Sequence, residues 1–205
     1  MSKISLEPNS SGSGTFTLAA PNSNTNRTLT LPDASGNIIA ADASTGRFDS
    51  SNMPAGSVIQ VVHSENITRQ SFSERVYHTI LSASITPSSS SSKIILQGFC
   101  HCHHSTTNSI GLRLTRDGNF IARNGTSQVS VHSAVALVDG KTWASASLPI
   151  NFVDSPSSTS SVEYSILVAS WRSPLIVNGT DNNGGTFSSG DTRGTTQLTL
   201  IEVAG

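Results

Sequence analysis

Residues 93 to 104 read KIILQGFCHCHH, and their spacing decides the fold. Ile94, Leu96, Gly98, Cys100 and Cys102 fall at every second position, with Ile95, Phe99, His101 and His103 between them. A strand turns successive side chains to opposite faces, whereas a helix needs apolar positions three and four apart. The segment is therefore a β-strand with both faces occupied. Pro87 and the serine run Ser88 to Ser92 end whatever precedes it.

The same period extends outward in both directions. Downstream, Ile110, Leu112 and Leu114 alternate with Gly111, Arg113 and Thr115, and Asp117-Gly118 supplies a hairpin turn before Phe120 and Ile121. Asp139-Gly140 is a second turn signal. Further strands are predicted at 143–153, 162–171 and 197–203, where Leu198 and Leu200 alternate with Thr199 and Ile201. Upstream, Arg75 to Thr86 fits two periods: Phe72, Val76 and Ile80 at helical spacing, and Tyr77, Leu81, Ala83 and Ile85 in alternation. The β-branched Thr79, Ile80 and Ile85 and the turn-like flanks favour a strand. Val58-Ile59-Gln60-Val61-Val62 opens this dense region, and no segment reads as a helix. Short strands between turn signals predict an all-β fold, a β-sandwich of jelly-roll type, for a C-terminal head over 57–205.

The residues before it are sparser. Within 1–40 the apolar side chains form short runs, Phe16 with Leu18 and Leu29 with Leu31, separated by Pro21-Asn22-Ser23-Asn24. Strands this short bury too little to stand alone, so the region is expected to wrap around symmetry mates or dock on another protein. Residues 41–56 hold only Phe48 and Met53 as large apolar side chains and are read as a linker closed by Pro54 and Gly56.

Composition narrows the function. Charged residues make up 12% of the chain, about half the roughly 25% of ordinary soluble domains. Ser, Thr, Asn and Gly must cover the surface, and these disfavour helices. Net charge is −1 without any Lys or Arg cluster, which argues against a nucleic-acid partner, since phosphate binding needs a basic patch. No apolar stretch is long enough to span a bilayer, and the start MSKISLEPNSS has no signal-peptide core, so synthesis in a cytoplasm without membrane insertion is expected. Cys100 and Cys102, two apart on one strand, are near the outer limit for a disulfide and are expected as free thiols. Sequons at Asn9, Asn26, Asn66, Asn124 and Asn178 read as turn chemistry.

Several segments carry a resemblance: GTFTLAAPNSNTNRTLTLPDASGNII near the start, ITPSSSSSKIIL over 85–96, NFVDSPSSTSSVEY over 151–164 and the ending LTLIEV. They resemble virion fibre proteins of tailed bacteriophages. The resemblance implies a homotrimer, an N-terminal region that holds the chain on the particle through other virion proteins, and an outward β head that binds a host surface, a glycan above all. It places the chain in the virion, as a tail-fibre subunit. The sequence lacks the shaft repeats of long tail fibres, so a capsid or baseplate decoration protein that stabilises the particle is the alternative.

Candidate sites follow from exposed or ligand-rich segments. His101 and His103 share one strand face, and the resemblance implies an iron ion on a trimer axis, where three such pairs would offer six nitrogens; exposed histidines at a polar strand end are the plainer reading. Cys100, Cys102 and His104 share the other face, where buried cysteines are expected rather than a zinc site. Residues 178–194, NGTDNNGGTFSSGDTRG, form a loop beyond the roughly 12–15 residues above which loops are usually functional or disordered, so it reads as a contact surface or as a mobile hairpin tip. Within it Phe187 can stack on a sugar, and Asn182, Asn183, Asp191 and Arg193 can bond to hydroxyls. Trp143 and Trp171 have apolar neighbours and are expected in the core. There is no G-x-S-x-G, H-E-x-x-H or phosphate-loop motif. Asp33, Asp117, Asp139 and Asp154 read as turn residues, and Glu65, Glu74, Glu163 and Glu202 are scattered, so no catalytic site or enzyme activity is expected.

Overall fold

The computed structural model describes residues 53–73, 76–104, 108–121, 133–137, 144–171, 174–179 and 193–205, with short stretches between 10 and 35. The chain divides into two compact units, Met1–Ile38 and Ile39–Gly205, and the strands belong to the second. Residues 1–9 and 36–52, with most of the N-terminal region and linker read from the sequence, lie outside the described residues, as does Asp139-Gly140.

The described residues form eleven strands and no helix: β1 (Val58–Asn66), β2 (Gln70–Phe72), β3 (His78–Ile85), β4 (Lys93–His104), β5 (Asn108–Arg116), β6 (Asn119–Ile121), β7 (Ser133–Leu137), β8 (Ala144–Asp154), β9 (Val162–Ser170), β10 (Leu175–Val177) and β11 (Thr196–Val203). All pairings are antiparallel. In one sheet β4 carries β8 along one edge and β11 then β10 along the other, with β1 and β2 outside them; the second sheet runs β3-β9-β5 and ends on β6 and β7. Leaving aside the three-residue strands, β1-β11-β4-β8 faces β3-β9-β5-β7, and the chain crosses between sheets at every step except β5 to β7. That order is a jelly roll.

Alternation builds the core. Ile94, Leu96, Cys100 and Cys102 of β4 meet Ile110, Leu112 and Leu114 of β5, with Tyr164, Ile166 and Val168 of β9 and Leu198 and Leu200 of β11, all buried. Asp117-Gly118 turns as the sequence predicts, with φ of +48° and +77°, the left-handed pair that a two-residue hairpin needs. Asp117 Oδ1 also accepts the Glu163 backbone N–H at 2.9 Å. At Gly98 a Cβ would lie 2.0 Å from the Gln197 carbonyl oxygen, so β4 and β11 approach there only because the residue is glycine.

One side of the sandwich is laced by side chains. Gln60 Nε2 donates to the Thr86 carbonyl at 2.7 Å, Ser64 Oγ to that of Ser82 at 3.3 Å, and Asn66 Nδ2 to that of Ile80 at 2.9 Å. These residues share one face of β1 and serve the carbonyls of Ile80 and Ser82 in β3 and of Thr86 just beyond it, on the edge of β3 that pairs with no strand among the described residues.

Two inward rows end on carboxylates at the end of the sandwich where β1 begins. Glu202 continues the row Leu198, Leu200, and Asp154 the row Ile150, Phe152; both oppose Ile94 in the β4 pairing. Asp154, read from the sequence as a turn residue, instead accepts from Tyr164 Oη at 2.7 Å and pairs with Arg116 at 2.8 Å. Burial, then this bond to a carboxylate, holds the Tyr164 hydroxyl far above the ordinary phenol range. Glu202 Oε1 accepts from Ser88 N (2.7 Å), Ser88 Oγ (2.6 Å) and Ser92 Oγ (2.7 Å), and Oε2 from Gln60 Nε2 (2.5 Å). The serine run is the cradle of a buried carboxylate.

Candidate functional site

The loop predicted as the contact surface leaves the sheet at an unusual place. Val177, the last residue of β10, stands opposite Cys102 of β4, and Thr196, the first of β11, stands opposite Cys100. Asn178 N donates to the His101 carbonyl at 3.0 Å, filling the step between them. β10 and β11 are therefore one strand, cut at a single register position into which residues 179–195 are inserted. The neighbouring strand breaks at the same level: Asn66 pairs with Thr196 and Gln70 with Val177, and Ile67, Thr68 and Arg69 form the step between β1 and β2.

Asn178 ties the two breaks together. It is fully buried with φ of +59°, a left-handed conformation that Asn tolerates better than other side chains. Its Nδ2 donates to the carbonyls of Asn66 at 2.7 Å and Thr68 at 3.2 Å, and its Oδ1 accepts from Thr196 Oγ1 at 2.8 Å. With both amide functions engaged inside the fold, this sequon asparagine is a structural residue. Replacing Thr196 with valine keeps the shape but orphans Asn178 Oδ1; a loss of about 1–2 kcal/mol in urea unfolding is expected.

The sequence-derived contact residues divide accordingly. Asn182, Asn183, Phe187 and Asp191 lie outside the described residues. Arg193 is exposed at the returning end of the insertion. Gly194 packs on the His101 ring, where an added Cβ would lie 2.3 Å from ring atoms. The insertion thus comes back over the outward face of β4.

His101 and His103 share that outward face, as alternation requires. His103 is nonetheless fully buried, with Nδ1 3.1 Å from Ser145 Oγ on β8. His101 is half-buried, its Nε2 meets no hydrogen-bond partner among the described residues, and burial pushes its pKa below the usual imidazole value. An iron shared on a symmetry axis would have to draw both rings out of these contacts. Among the described residues no group of three or more His, Cys, Asp or Glu is arranged to hold a metal.

Cys100 and Cys102 are free, buried thiols with sulfurs 3.6 Å apart, as expected. The hydrogen bond to Cys100 and burial raise the Cys102 thiol well above its ordinary value, so it stays protonated. Trp171 corrects the sequence reading. It is 73% exposed, because β9 turns Val162, Tyr164, Ile166, Val168 and Ser170 inward and the next residue has the opposite parity. Trp143 lies outside the described residues. Exposed Val76 and Trp171 stand in the connections at the end where β4 finishes, and exposed Ile67 in the break between β1 and β2.

Sequence reading missed Asp154 and Glu202 as buried groups. Alternation carried the signal, since each continues an inward apolar row. Opposite Ile94 on either side, their Cα atoms are about 9.6 Å apart, two strand spacings. Ile94, with 0% exposure, fills the space between them. The pair braces the core at this end of the sandwich.

No protein-family model matches the chain, and no curated protein matches it. Among solved structures, the crystal structure of the infectious bursal disease virus VP2 subviral particle aligns at 14% identity with a TM-score of 0.36, over 71% of this chain and 33% of that one. Infectious bursal disease virus structures of the Gx and Gt strains align at 14% identity with TM-scores of 0.40 and 0.38, each over 85% of this chain and 50% of the other. The chain thus spans between a third and a half of these proteins.

Proposed function

We propose that this chain is a virion structural subunit, a homotrimeric tail-fibre protein whose N-terminal region joins it to the particle and whose jelly-roll head touches the host surface. The observation that carries the host-contact reading is the insertion of residues 179–195 into one register step of a central strand, on a base fixed by Asn178 and Thr196. A rigid scaffold that presents a long polar loop is the usual construction of a recognition site. Jelly rolls recur in viral capsid and lectin domains, a likeness of architecture only.

Few charges and many Asn, Ser, Thr and Gly residues suit a polyhydroxylated ligand, a host-surface glycan, over a charged one. Phe187 supplies a stacking surface there, and Asn182, Asn183, Asp191 and Arg193 supply hydrogen bonds. Each contact would be weak, and several copies on one particle would raise avidity by roughly 10²–10⁴.

Purified full-length chain, added to host cells before the virus, is expected to block adsorption in proportion to its concentration. If adsorption is untouched while virions lacking the chain lose integrity, the host-contact reading fails and a decoration role replaces it.

A further inference from the structure

We infer that the outer face of the six-stranded sheet packs against a second copy of this chain. Four strands present one continuous apolar row there: Val61 pairs with Ile201, Ile201 with Ile95, and Ile95 with Val153. Val58 and Val203 pair on the next outward row toward the start of β1. Val61, Val153 and Val58 are 58%, 53% and 57% exposed. Single exposed apolar residues are ordinary, but a contiguous row across a whole sheet is not.

The chemistry of the face favours a copy of itself over a charged partner. Among the described outward positions of these four strands Lys93 and Glu65 are the only ammonium and carboxylate groups, and both lie off the row, as do the imidazoles of His63, His101 and His103. A straight apolar row is self-complementary: a two-fold axis along it lays each side chain on its own counterpart. The same operation sets Lys93, one step to one side, over the side-chain carbonyl of Gln97 of the second copy, one step to the other, so no like charges meet.

The area is sufficient. Four strands about 4.8 Å apart and eight residues long cover ~500 Å², so two copies bury ~1,000 Å², the lower bound for a specific interface. The proposal names a contact surface and stands apart from the trimer reading, which rests on resemblance.

Sedimentation velocity of the full chain, with and without Val61→Lys and Val153→Lys together, tests it. Both sites are more than half exposed in a single chain, so the double variant is expected to keep the wild-type dichroism and melting curve. Its self-association is expected to weaken at least ~100-fold, because each lysine enters the contact twice. Ser84→Lys, on the exposed face of the other sheet, is expected to leave the mass unchanged. A wild-type chain that stays monomeric at all concentrations overturns the inference, and so does a double variant with the wild-type mass. A dimer dissolved by the lysines would support this surface and remove the trimer. A trimer indifferent to them would do the reverse.

Discussion

Replacing Glu202 with alanine is expected to lower stability by about 3–5 kcal/mol, since it strands four donors gathered around one carboxylate. Ser88 contributes two of them, Ser92 and Gln60 one each. The loss reaches beyond the site, because the same residues fix the 86–92 connection and one rung of the β1 to β3 lacing. Glutamine at this position keeps an acceptor but turns an amide N–H₂ toward donors, and about half the cost is expected.

Acid should act at the same point. Burial alone would raise the Glu202 pKa, but the hydrogen bonds from Ser88, Gln60 and Ser92 outweigh it and bring the group below its ordinary 4.5. A carboxylate with a depressed folded-state pKa contributes its full stability above the unfolded value and loses it as pH falls through the folded one. The urea midpoint of the wild type should therefore drop below pH 4.5, and its advantage over Glu202→Gln should shrink in that range. A constant difference down to pH 3 would show that the carboxylate charge contributes nothing.

Excising residues 179–195 and joining Asn178 directly to Thr196 is expected to leave the sandwich folded and to abolish competition for host adsorption, by at least ~100-fold. The two ends already stand opposite His101 and Cys100, so the joined chain continues an existing ladder with Asn178 returning from φ +59° to extended geometry. Removing a 17-residue excursion recovers about 2.5 kcal/mol of closure entropy. That roughly offsets the Asn178 side-chain bonds, worth about 1 kcal/mol each. A variant that fails to fold would contradict the single interrupted strand. One that folds and still blocks adsorption would move host contact elsewhere.

Much of this architecture was legible in the residues. β4 occupies the twelve positions its alternation marked, and β5 with β6, β8, β9 and β11 lie where period and turn chemistry put them. The helical reading of Phe72, Val76 and Ile80 gives way to β3. The short strands β2, β7 and β10 were not read, for a physical reason: β10 is Leu-Ile-Val, buried at all three positions, and shows no alternation. The inserted loop was visible by length, but not its place in the sheet. That depends on Val177 meeting Cys102 and Thr196 meeting Cys100, about 75 and 96 residues away in the chain, and no local pattern encodes such a pairing. The buried acids and outward Trp171 were accessible to a strict parity count, which the turn-like surroundings of Asp154 and the apolar neighbours of Trp171 overrode.

The pairing of first and last strands has a mechanical consequence. β1 enters the sheet at Val58, next to the turn in which Gly56 and Ser57 bond to Ala204, and β11 begins at Thr196, at the far end of their shared ladder. A pull between residue 56 and residue 195 draws these antiparallel neighbours lengthwise past each other. The rungs then carry tension together and cannot be peeled one at a time, so if the head holds a host surface as proposed, a load between its two ends would meet this joint in its strongest direction.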